Sequence, residues 1–87
     1  MYLNLGQSVI IPESSILGLF DLDNATWSFR TRRFLHQAEQ AGQVRNVGGD
    51  LPRSFLLCQQ GEQEAEVYLS PVNTATLIRR AEQAGFE

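Results

Sequence analysis

Lysine is missing from this chain: all seven cations are arginine, set against ten carboxylate side chains and a formal net charge of −3. A sequence pI near 5.0 excludes a protein that coats nucleic acid through an evenly basic surface, although a local cationic patch is compatible with it. Arginine suits bidentate contact with phosphate or carboxylate, and genome base composition biases the choice between the two cations as well. Cysteine and histidine occur once each, as Cys58 and His36. An internal disulfide is thereby excluded, and no C-x-x-C or H-x-x-x-H spacing exists to hold zinc. No cofactor is expected. Long hydrophobic runs are also lacking. The opening MYLNLGQSVIIPE has no basic start and only a short apolar run, which provides neither a signal peptide nor a membrane span, so a cytoplasmic location is expected.

With 87 residues, the sequence predicts a single domain, 1–87, whose own core is small. The opening third reads as short strands, because YLNL, SVII and ILGLFDL are bulky and apolar and are punctuated by Gly6, Pro12 and ESS. A helix is expected to begin near Trp27, capped by Thr26 or Ser28, with Thr31, Phe34, Leu35, Ala38 and Ala41 on its core stripe and Gly42 at its end. QVRNV, RSFLLCQQ and VYLS complete a tally of six strands. A second helix follows, capped by Asn73 or Ser70, with Ala75, Leu77, Ile78, Ala81 and Ala84 sharing a face and Gly85 just past its end. Both helices close on AEQAG, which reflects good helix formers before a glycine stop rather than a repeat. The fold class is α+β, a small and mostly antiparallel sheet of about six strands with two helices. Two helices cover one face of such a sheet, whereas VII, ILGLF and FLL are apolar on both. A homo-oligomer is therefore expected, with another subunit over the second face.

Reactive chemistry is scarce. His36 belongs on a polar helix flank, and the apolar neighbours of Cys58 make it a buried thiol rather than a nucleophile. Gly48 and Gly49 mark a turn without a phosphate-binding motif. Glu62, Glu64 and Glu66 alternate and read as a solvated loop, with a divalent-cation or basic-partner site as the alternative. The chain is not expected to be an enzyme, nor to take a small-molecule substrate.

The arginines are the informative group. Arg30, Arg32 and Arg33 stand within four positions near the start of the first helix, where the helix dipole disfavours cations by a few tenths of a kcal/mol each. Arg30 and Arg33 fall on one flank of the apolar stripe and Arg32 and His36 on the other, with no acidic residue four positions on. An outside anion would relieve them: phosphate from nucleic acid, or carboxylate from the Asp21 and Asp23 loop or the glutamates of another chain. Arg45 and Arg53 flank one loop and could form a small cationic lip.

MYLNLG, ILGLFDLD, PRSFLLC and VYLSPVNTATLIRR, in that order and through nearly the whole chain, resemble the small RemB-type proteins related to the extracellular matrix regulator RemA. The resemblance implies a LytTR-like core, a cytoplasmic bacterial protein, a ring-shaped homo-oligomer and binding of double-stranded DNA to activate biofilm-matrix genes. The double arginine ahead of the RSFLL-type strand is replaced here by Asp50 and Leu51, and a further arginine by Ser14 or Ser15. The matching cations are the helix-one pair Arg32 and Arg33, together with Arg53. The candidate DNA-binding set is thus Arg30, Arg32, Arg33 and Arg53. The alternative is an oligomeric scaffold or protein-interaction module that binds no DNA.

Overall fold

A computed structural model describes residues 2–23, 28–48 and 51–85. The elements run β1 (Tyr2–Asn4), β2 (Ile10–Pro12), β3 (Ile16–Asp21), α1 (Phe29–Gln40), β4 (Val44–Asn46), β5 (Ser54–Cys58), β6 (Glu66–Ser70) and α2 (Thr74–Gly85). Among the described residues, six short strands and two α-helices, with one 3-10 turn at Glu13–Ser15, make the fold α+β, as the sequence pattern predicts. The strands form two sheets rather than one. β1 and β2 pair alone as an antiparallel hairpin, and the other four pair in the order β3-β5-β6-β4. β3 with β5 and β5 with β6 are antiparallel; β4 with β6 is parallel.

This topology dictates the path of α1. β3 and β4 are parallel to each other and lie at opposite edges of the sheet, so the helix that joins them must cross the sheet from one edge to the other. Ser28 starts it, its Oγ accepting the Thr31 N–H at 3.1 Å. Trp27 and Thr26 lie outside the described residues. Gly42, at φ +74°, takes the left-handed conformation after the last turn and lets the Gln43 N–H reach the Ala38 carbonyl at 2.9 Å. For α2 the cap is Asn73, whose Oδ1 accepts the Thr76 N–H at 2.8 Å. The helix includes Gly85 rather than stopping before it.

Period-two alternation explains the consecutive apolar runs. Phe55, Leu57, Val67 and Leu69 pack with Ala38, Leu35, Val44 and Leu22 on the α1 face. Leu56 and Cys58 point the other way and join Leu3, Leu5, Ile11 and Leu77 in a second core. Each face of the four-stranded sheet therefore has its own cover: α1 on one, α2 and the β1–β2 hairpin on the other. The expectation that both helices share one face and leave the second for another subunit is corrected, because the hairpin leaves the sheet plane and turns Leu3 and Ile11 inward. Ser70 and Ser54 fasten this second layer. Ser70 Oγ donates to the Leu5 carbonyl at 2.7 Å and accepts the Val72 N–H at 3.0 Å, while Ser54 Oγ donates to the Val72 carbonyl at 2.6 Å.

The oblique path of α1 carries it off the β3 side of the sheet. Phe34, predicted to be core, is 41% exposed, and Phe20 on β3 is 45% exposed although its ring stacks on Phe55 at 4.6 Å between centroids. Ala41, Ala75 and Ile78 are likewise exposed rather than buried in the predicted stripes.

Candidate nucleic-acid interface

The three helix arginines are exposed, and among the described residues none makes an ion pair. They do not point the same way. With Ala38 as the inward reference and about 100° per residue, Arg32, Arg33, His36 and Gln40 fall on the outward half of α1 around Phe29. Phe29 is itself 70% exposed. Arg30 instead falls beside Phe34, toward β3. It rims a groove of about 280 Å³ walled by Phe20, Phe34, Phe55 and Leu57. The groove exists because α1 leaves the β3 edge uncovered and because Gly18 lets the Phe20 ring lie across it. A Cβ at position 18 would come within 2.7 Å of that ring.

Arg53 is placed differently. Its Nε and one terminal nitrogen both reach Asp23 Oδ2 at 2.9 Å, and this partner pushes the guanidinium pKa up. The pair closes the top of the β3–β5 ladder, where the Leu22 N–H also donates to the Arg53 carbonyl at 2.9 Å. Arg53 thus has a resident carboxylate. Arg45 turns away from it: the Arg45 guanidinium contacts Glu66 at 3.4 Å and donates to the Gly42 carbonyl at 3.4 Å, so no cationic lip forms between the two. Arg80 is occupied as well, donating to the Asn4 carbonyl at 2.9 Å and fastening α2 to β1.

No protein-family model and no curated protein matches the chain. Asp50 lies outside the described residues, and Leu51 beside it is exposed. Of the glutamates at the β5–β6 turn, Glu66 holds Arg45 and Glu64 accepts from Gln43 Nε2 at 3.1 Å. Among the described residues there is no cluster of three or more histidine, cysteine or carboxylate groups able to hold a metal ion. Cys58 is 4% exposed, and burial pushes its thiol up to about 11. No described helix is long and apolar enough to cross a membrane.

The sequence puts four arginines in one candidate set; the fold divides them into three situations. Arg32 and Arg33 face outward, Arg30 borders an apolar groove, and Arg53 is neutralised by Asp23. The groove itself was missed in the sequence. Its signal was present in Phe20, Phe34 and Phe55, three aromatics that the two β3-edge layers cannot all bury.

Proposed function

We propose that this chain is a non-enzymatic bacterial transcription regulator that acts in the cytoplasm as a ring-shaped homo-oligomer and binds duplex DNA. The carrying observation is the outward pair Arg32 and Arg33, exposed at the start of α1 without a carboxylate partner among the described residues. Arg32 and Arg33 stand just past the first turn of α1, where no carboxylate offsets them among the described residues, and phosphate would neutralise them. Two arginines per subunit make a weak contact alone; repetition around a ring sums several into a useful affinity. The motif order from MYLNLG to VYLSP supports placement beside the RemA and RemB proteins, with a LytTR-like core.

The test is binding to a promoter-length duplex by fluorescence anisotropy, with Arg32→Glu and Arg33→Glu as variants. DNA retention should be lost while the molar mass in solution stays unchanged. Absence of binding by the native protein at low salt would reject the proposal. A second reading, a protein-interaction scaffold without DNA binding, is favoured by the apolar groove beside Arg30, since phosphates have no use for phenylalanine walls. In that case the native protein should not retain the duplex even at low salt, and the same charge reversals should break the oligomer.

A further inference from the structure

Two apolar grooves open on opposite faces of the β3 edge, and their rims carry opposite charge. On the α1 face Phe20, Phe34, Phe55 and Leu57 form the walls and Arg30 the rim. On the α2 face a groove of about 230 Å³ is walled by Ile16, Leu19, Leu56 and Ile78, with Glu13 and Glu82 at its rim. Each helix presents its pair one turn apart. Arg30 and Phe34 lie four residues apart on α1, and Ile78 and Glu82 lie four apart on α2, where Ile78 is 48% exposed. Arg79, three residues before Glu82, lies about 60° from it round α2 on the side away from Ile78 and makes no ion pair among the described residues.

Opposed signs decide between the possible occupants. A twofold contact made by either groove with itself would gather charges of one sign in a single interface, two Arg30 side chains or two copies of Glu13 and Glu82, with no opposite charge from the groove lining, and like charges at an interface are costly. Contact between unlike grooves sets cation against carboxylate and the exposed Phe34 against the exposed Ile78.

We propose that each groove is filled by a second copy of this chain, the Arg30–Phe34 ridge of one subunit docking on the Ile78–Glu82 ridge of the next. The inference rests on the self-association in the proposed function and names its surfaces. Because each copy uses two different faces, one of each is always left for a further copy. Such a contact closes into a ring if the rotation between neighbours permits, and otherwise extends as a filament. It leaves Arg32 and Arg33 outside the contact.

The experiment is molar mass by light scattering at micromolar concentration for the native protein, Arg30→Glu, Glu82→Arg, and an equimolar mixture of the two variants. Both side chains are exposed, and a native far-ultraviolet spectrum is required of each variant. The native protein should be an oligomer, each variant alone should fall to the 9.8 kDa monomer, and the mixture should assemble again, into an array in which the two variants alternate. Recovery is specific to unlike pairing, since the reversed groove of one variant meets the reversed groove of the other. The double variant in one chain should assemble for the same reason. A native oligomer that neither reversal disturbs, or a mixture that stays monomeric, would overturn this interface and leave self-association standing. A native monomer would overturn both.

Discussion

Replacing Arg32 and Arg33 together by glutamine should flatten the salt dependence of DNA binding by an amount that follows from where those side chains stand. Each phosphate neutralised contributes about −0.9 to the slope of log K against log salt. Two outward arginines per subunit therefore supply a slope of about −1.8 for every subunit that touches the duplex. Raising salt fourfold, from about 50 to about 200 mM, should cost about 12-fold in affinity per engaged subunit, and about 10³-fold if three engage. Arg53→Gln should behave differently. Its guanidinium already holds Asp23 at 2.9 Å, so the local net charge is near zero and the slope should hardly move. Anisotropy titrations of a 30-base-pair duplex across a salt series measure all three proteins. A slope unchanged in the Arg32/Arg33 variant, or a larger change in the Arg53 variant, would refute the assignment of the contact to the outward face of α1.

Three further outcomes test the fold that positions this face. Ser70→Ala removes one donor and one acceptor from the β1–α2 layer and leaves the Leu5 carbonyl and Val72 N–H short of partners; urea denaturation should show a loss of about 2 kcal/mol. Gln7 and Ser8 turn the β1–β2 hairpin at φ +50° and +65°, a conformation that favours asparagine and glycine, so Ser8→Gly should stabilise by about 0.5 kcal/mol in the same assay. Cys58 should resist alkylation at pH 8 until the chain unfolds, because burial holds its thiol near 11, above the ordinary value of 9.0. The raised folded pKa favours the neutral thiol, so its contribution is complete below pH 9 and is lost as pH rises toward 11; a stability flat across that window, or rapid labelling of the folded protein, would contradict it.

The element list was legible in the sequence for local reasons. Short apolar runs between glycine, proline and serine clusters marked the strands, and Ser28, Gly42 and Asn73 marked helix ends through bonds made within a few residues. What was hidden is non-local. Leu3 and Ile11 read equally well as part of one flat sheet, and only their packing against Leu56 and Leu77 shows the hairpin lying across it. Likewise, Asp23 and Arg53 are 30 positions apart, and nothing in either neighbourhood announces their bond. Phe34 and Ile78 belong to regular apolar stripes, yet the crossing of α1 and the edge position of β3 leave both partly bare. Periodicity gives the direction of a side chain but not whether a neighbour stands there to meet it.

The division among the arginines makes the two anion partners compatible rather than rival. Arg45, Arg53 and Arg80 are already satisfied by Glu66, Asp23 and the Asn4 carbonyl, each fixing one element to another. Arg30 turns toward an apolar wall, where a carboxylate from a neighbouring subunit has shape to bind against and a duplex has none. Arg32 and Arg33 stand about 120° and 140° from the inward direction on either side, which leaves them exposed whether or not the groove is filled. Assembly through Arg30 would therefore multiply the outward pair without consuming it. On that arrangement Arg30→Glu should weaken DNA binding by dissolving the array, and the binding left to single subunits should keep the slope of one outward pair.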